Sequence, residues 1–416
     1  MKKTLLIVMI LSLLLSAFGC ASKKDKNVDE TENEKIVDVT TDNIVDETTD
    51  KIVDVTTSNK NDVHYLALVK NAESLLCGYI DETGAYVIEP RFMDAHNFAG
   101  NGLAAVKDAD SELWGYINKT GEYVIDPLFG GANDFAENGL ATVQDADSLL
   151  DGYIDETGEC VIELQFLSAN DFAENGLAAV RDLGNSLWGY IDETGDYVIE
   201  PQFYTVRDFA ENGLAVVWDE DSYLCGYIDE TGEYVIKPKF TDAYNFAENG
   251  FAAVSYEDYG YIDEKGEYVI NPQFRFSQVF AENGLAAVKD ADTYLYGYID
   301  ETGDYVIEPQ FEDSYDFWDA YDFAENGFAV AIYADGIWGV DETGNFLHLV
   351  GYIDETGEYV IEPKFARATN FAENGLAAVQ DANSLLCGYI DETGDYVIEP
   401  QFWCDESFVG YFVNVN

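Results

Sequence analysis

The sequence predicts an all-β protein. Tandem three-stranded β-meanders of about 37 residues stack into an open, curved array, and a β-propeller-like arrangement is the alternative. Three observations predict it. The stretch "GYIDET" begins at Gly78, Gly152, Gly189, Gly226, Gly297, Gly351 and Gly388, with near-copies at Gly115, Gly260 and Gly339. A period held this well marks a repeat architecture. Inside each unit, "EYVIEP" alternates in the period of a strand, with Tyr and Ile to one side and Val and Glu to the other. Between the short extended runs stand turn residues, above all the "ETG" whose Gly can take positive φ.

The N-terminal elements come before the array. Lys2 and Lys3 precede an apolar run from Leu5 to Leu15, then small residues lead to Cys20. This reads as a signal peptide over 1–19, because the run is too short to span a bilayer. "SAFGC" resembles a bacterial lipoprotein lipobox. The resemblance implies cleavage before Cys20 and lipid attachment to it; an ordinary cleaved signal with an incidental cysteine is the alternative. Residues 20–62 contain "IVDVTTDN", "IVDETTDK" and "IVDVTTSN" and lack aromatics beyond the signal. They read as a disordered acidic, Thr-rich tether.

Residues 63–416 form the array, about nine units with an irregular stretch at 311–350. The unit from Gly102 reads "GLAAVKDADSELWGYINKTGEYVIDPLFGGANDFAEN". "LAAVKD", "LWGYIN" and "EYVIDP" are its three strands. Pro ends the third strand in this reading, since it has no N–H for the ladder. Phe92 and Phe98, or Phe365 and Phe371, are expected to pack between neighbouring units, because one meander cannot bury its aromatics alone.

The pattern aromatic-Gly-Tyr-Ile-Asp, then a Gly turn, then a strand reaching Pro-x-Phe, then "DFAENGLAAV", resembles the bacterial WG repeat. Trp114-Gly115-Tyr116-Ile117, Trp188-Gly189-Tyr190-Ile191 and Trp338-Gly339 carry the resemblance. It implies fold more than function. The Trp slot is otherwise Cys77, Asp151, Cys225, Tyr259, Tyr296, Val350 and Cys387, a tolerance that suits packing rather than a ligand.

The array breaks once. "WGVDETGNFLHLV" from Trp338 is followed at once by the next "GYIDETG" at Gly351, and extra aromatics precede it. Trp318, Tyr321 and Trp338 are therefore the candidate ligand-contact patch, with a degenerate repeat as the alternative.

Elsewhere the chemistry is thin. Adjacent Asp and Glu in "DETG" point to opposite faces of a strand and recur along the array, so they read as turn residues rather than a catalytic pair. The loops "DADS" and "DADT" resemble calcium loops but lack the Gly and Glu of an EF-hand; weak calcium binding is the alternative to Asx turns. No CxxC, nucleophile motif or phosphate loop is present, so no cofactor, metal or catalytic residue is expected and the chain is not expected to be an enzyme. With 21 basic against 81 acidic residues, the net charge of −60 argues against nucleic acid. The expectation is an exported protein of the bacterial envelope, held to a membrane through Cys20. Its array would serve as a binding scaffold for a protein or glycan, or as a passive surface spacer.

Overall fold

The chain separates into two units, Met1–Asp62 and Val63–Asn416. The computed structural model describes residues 65–312, 323–324, 326–332, 338–340, 346–404 and 410–415, all in the second unit. The signal segment, Cys20 and the tether lie outside the described residues, as do Trp318 and Tyr321.

The described residues are all-β, and the three runs of each unit are antiparallel strands. In the unit with Trp114 they are Leu103–Asp108, Trp114–Asn118 and Tyr123–Phe129. The first pairs the second from Leu103↔Asn118 to Lys107↔Trp114. The second pairs the third with Trp114 opposite Phe129, Tyr116 opposite Ile125 and Ile117 opposite Tyr123.

That register contains the reason for the Gly and the Pro. Between Trp114↔Phe129 and Tyr116↔Ile125, two steps on one strand face four on the other. The third strand therefore bulges at Asp126-Pro127-Leu128, where an unpaired residue needs no ladder N–H. The bulge folds over Gly115. A Cβ there would meet Ile125 O at 2.6 Å and Pro127 N at 2.8 Å. The Pro thus does not end the strand, as the sequence alone suggests. In Tyr86–Ala95 and Tyr197–Val206 the strand runs on past Pro90 and Pro201.

This continuation supplies a fourth strand. After the bulge the chain pairs with the first strand of the next unit, as in Phe203↔Asp219 and Val206↔Val217. Where the strand is interrupted, a two-residue piece remains, and one sheet reads Cys160–Phe166, Asp151–Asp155, Leu140–Gln144, Gly131–Ala132 in order. Each unit is a three-stranded meander plus a short strand carried over from its predecessor.

The core repeats with the strands. Tyr of the second strand and a Phe beyond the third, seven times that of "FAEN", meet at ring-centroid distances of 4.8–4.9 Å in nine places, from Tyr79–Phe98 to Tyr389–Phe412. The Tyr hydroxyl donates to a backbone carbonyl, as Tyr116 Oη to Asn133 O at 2.7 Å. The other Phe crosses to the next unit, as Phe92 does edge-on to Tyr123. Ile88 packs beneath the turn of the next unit, 3.0 Å from where a Cβ of Gly121 would sit.

The same contact joins the two ends. A Cβ on Gly84 of the first unit would stand 3.0 Å from Ile398 of the last. Asn71 and Lys70 pair with Phe402 and Trp403, and Tyr65, Leu66 and Ala67 pair with Asn414, Val413 and Phe412. Phe412 fills the ring position that "FAEN" supplies elsewhere. The sequence reading is an open stack with a propeller-like form as its alternative, and this pairing of first and last strands is a feature of the alternative.

The break in the repeat also resolves. Ala329–Ala331 pairs directly with Val350–Ile353, through Ala331↔Gly351. Among the described residues, the strands Trp338–Val340 and Phe346–His348 pair only with each other. They form a hairpin inserted between the first and second strands of one unit, not a further unit.

Cys387 and Cys404 are disulfide-bonded, with Cα atoms 5.7 Å apart. They share a buried cluster with Ala67, Val69 and Phe412, so the bond lies where the ends meet. Cys77 and Cys225 are buried in the slot that Trp114 occupies, as expected for packing. Asp151, the polar occupant, is accommodated by hydrogen bonds from Gln144 Nε2 and Ala169 N, both 3.0 Å. Burial raises its carboxyl above the usual range.

Candidate functional site

An antiparallel meander has two edges, and each unit uses them differently. The "FAEN" segment and the "DETG" turn emerge on one edge; the loop between the first and second strands emerges on the other.

The first edge is tied together. Asn101 Nδ2 donates to Glu156 Oε1 at 3.1 Å, and the bond recurs from Asn138 to Glu193 and from Asn175 to Glu230, onward to Asn326 and Glu392. Each links two units, so these "DETG" glutamates are structural. The preceding Asp in each turn accepts from its own turn, as Asp155 Oδ1 does from Thr157 N, Thr157 Oγ1 and Glu159 N. The Asp-Glu pair is thereby accounted for as turn chemistry.

The "FAEN" segments line two adjoining cavities, of about 1480 Å³ and 1110 Å³, which share Ala281 and Glu282. Polar side chains also link successive units along this edge. His96 Nδ1 lies 3.1 Å from Asp134, Asn133 Nδ2 donates to Asp171 at 3.3 Å, and Asn170 Nδ2 donates to Asp208 at 2.9 Å. Burial raises the carboxyls of Asp171 and Asp208, and the hydrogen bond to Asp134 raises the His96 imidazole. Each of these bonds links neighbouring units, which is the arrangement of a joint.

The second edge is different. Its loops are built on Asx turns. Asp108 Oδ1 accepts from Asp110 N, Ser111 N and Ser111 Oγ at 2.9–3.2 Å. The same set recurs at Asp290 with Thr293. These bonds account for the calcium-like spacing, and among the described residues no group of three or more His, Cys, Asp or Glu could hold a metal ion.

To close the loop the chain then passes through the left-handed region at a residue that is not glycine. These are Leu75, Glu112, Leu149, Ser186, Tyr223, Tyr294 and Leu385, with φ between 56° and 62°. Such a backbone costs a bulky L-residue on the order of 1–2 kcal/mol. Four of these side chains are large, apolar and exposed: Leu75 47%, Leu149 61%, Tyr223 60% and Tyr294 59%. The corresponding loops of two other units expose Leu183 and Tyr256. This rim is the candidate site, and the sequence reading missed it. Its signal was present as a Leu or Tyr within an otherwise polar turn, in "AESLL", "DADSLL" and "DEDSYL".

The inserted hairpin rises from this edge too, since it joins a first strand to a second. Of the three aromatics singled out in the sequence, Trp338 stands on this hairpin, with its backbone paired to His348. Trp318 and Tyr321 fall outside the described residues, between the third strand ending at Phe311 and Phe323.

This geometry defines a repeat β-rich protein of β-propeller-like fold, with one edge cross-linked between units and the other lined by exposed apolar loop tips. The WG-containing repeat matches residues 78–110, 114–147, 152–185, 188–217, 226–258, 259–294, 296–332, 351–383 and 388–402, and the chain belongs to that family. The stretch 333–350, with the inserted hairpin, is outside the matches. No curated protein matches the chain.

Among solved structures, "Crystal structure of the eukaryotic initiation factor" is 11% identical, covering 84% of this chain and 98% of that one at a TM-score of 0.56. Hsv2 of Kluyveromyces lactis is 10% identical, covering 54% and 86%, at a TM-score of 0.35. The dihydro-heme d1 dehydrogenase NirN is 12% identical, covering 85% and 75%, at 0.44. The first of these likenesses is one of fold alone.

Proposed function

We propose that this chain is a non-enzymatic binding scaffold of the bacterial envelope, exported and held to a membrane through Cys20, which presents its repeat array to a protein or glycan ligand. The observation that carries this reading is the display edge. Large apolar side chains stand exposed at one repeated loop position, in a backbone conformation that glycine would adopt at less cost. Such residues add little to the core, and recurrent exposed apolar groups suit recognition. Export is supported by the Cys387–Cys404 disulfide, because such bonds persist in oxidising compartments. The array holds the scaffold's chemistry; the N-terminal segment supplies anchorage.

The test is capture. Residues 63–416 are immobilised and challenged with peptidoglycan, host matrix and envelope extracts. A specific partner that survives moderate salt is the expected result. If nothing is retained from any of the three, the passive-spacer reading replaces this one. Metabolic labelling with a palmitate analogue tests the anchor, with Cys20→Ala losing the label.

A further inference from the structure

We infer that the loop rim receives a protein surface in which basic side chains alternate with apolar ones. This rests on the binding-scaffold reading and narrows it. Four loops carry the same doublet: an exposed carboxylate two residues before an exposed apolar tip at positive φ. The doublets are Glu73 with Leu75, Asp147 with Leu149, Asp221 with Tyr223 and Asp292 with Tyr294.

The two halves of each doublet ask for different things. The tip offers apolar area that is left in water, so a partner gains by covering it. The carboxylate beside it would be stranded under a purely apolar partner, at the cost of losing its water without a counter-charge. A surface that brings an ammonium or guanidinium group next to a methylene stem satisfies both, and lysine and arginine have that construction. Two of the rim bases are engaged elsewhere. Arg181 Nε donates to Ser186 O at 2.9 Å, and Lys289 Nζ sits 5.2 Å over the Tyr296 ring.

Charge complementarity favours the same partner at long range, since the chain carries −60. The tips also argue against a sugar. Glycans stack on flat aromatic faces, whereas two of these four tips are leucines, which have no π-face. Repetition adds avidity: a partner with several such patches can engage several loops at once.

The experiment uses the full chain and three immobilised probes at physiological salt. They are an alternating Lys/Leu peptide, polylysine of equal charge, and an N-acetylglucosamine oligosaccharide. The variants are Leu149→Asn/Tyr223→Asn/Tyr294→Asn, chosen because Asn tolerates the left-handed region, and Val161→Asn/Val235→Asn/Val306→Asn. The second set removes exposed apolar groups from the third strands, 45–48% exposed against 59–61% for the tips.

The expected result is that the Lys/Leu peptide binds wild type and loses at least tenfold with the tip variant. The strand variant stays within twofold, and polylysine distinguishes none of them. Two results overturn the inference while leaving a binding scaffold standing: the tip variant holds the Lys/Leu peptide as well as wild type, or only the oligosaccharide depends on the tips. If wild type retains no probe and no extract component, both readings fall.

Discussion

Replacing Gly115 by Ala tests whether the Trp-Gly step is a packing device. The new Cβ would stand 2.6 Å from Ile125 O, 2.8 Å from Pro127 N and 2.9 Å from Asp126 C. Ordinary contact begins at 3.4 Å, so the carbonyl must withdraw by 3.4 − 2.6 = 0.8 Å. All three atoms are backbone, so no side chain can rotate away. Overpacking of this kind costs about 1–3 kcal/mol. Displacing the bulge also strains the Tyr116↔Ile125 pairing, where a lost ladder bond adds about 1 kcal/mol. The expected destabilisation is about 2–4 kcal/mol.

Gly100→Ala is the control, because nothing lies within 4 Å of its Cβ position, and it should change stability by no more than about 0.5 kcal/mol. Urea unfolding followed by tyrosine and tryptophan emission gives both values, with the slope checked because repeat arrays can lose cooperativity. If Gly115→Ala unfolds within about 0.5 kcal/mol of wild type, the bulge does not close over the glycine and the explanation of the motif is wrong.

Other expectations follow from the joints. Cys387→Ala/Cys404→Ala removes a link across 17 residues at the meeting of the ends and should cost about 3 kcal/mol, read as a drop in urea midpoint that wild type shows only under reductant. No difference between reduced and oxidised wild type would place the stability of the junction entirely in its strand pairing. Asp208, raised by burial, contributes stability that is full below its unfolded pKa and lost as pH rises through the folded one. Asp208→Asn should therefore be more stable than wild type at pH 7 and indistinguishable at pH 3; a gain at both would point to packing instead. Asp108 has the opposite sign. Its carboxyl is held low chiefly by the Ser111 N–H, so its contribution is present at pH 7 and is lost as pH falls through the lowered value. Asp108→Asn should weaken the fold at pH 7 and lose that effect in acid.

Much of the architecture is legible in the sequence because repetition makes local signals add. One "EYVIEP" could be a strand by chance; nine near-copies in register with a Gly turn leave little else. The position before the glycine already showed its role by tolerating Cys, Trp, Asp and Val, and Cys77, Trp114 and Asp151 are indeed buried there. Phe92 crosses to Tyr123 of the next unit as its spacing implied, whereas the ring contact of Phe98 is with Tyr79 of its own unit.

The misreadings are of two physical kinds. Pro90 and Pro127 are strong local breakers, so a local reading stops the strand; a bulge removes the need for the missing N–H, and whether a bulge exists depends on the neighbouring strand. The loop rim was overlooked because one Leu or Tyr in a polar turn carries little weight by itself; that Leu149 and Tyr223 take the left-handed region and stand exposed is decided by loop closure.

By itself, then, the sequence determined the unit: its length, its hairpins, its alternating core and its all-β class, since these follow from contacts within about 37 residues and their repetition. Only the tertiary structure decided how units meet at distant points of the chain. It joined Asn71 to Phe402, set Phe412 against Tyr389, brought Cys404 to Cys387 and left the hairpin at Trp338 outside the array. The physical reason is that a small rotation between neighbours, summed over all the units, settles whether first and last come within bonding distance, and no single unit's residues encode that sum.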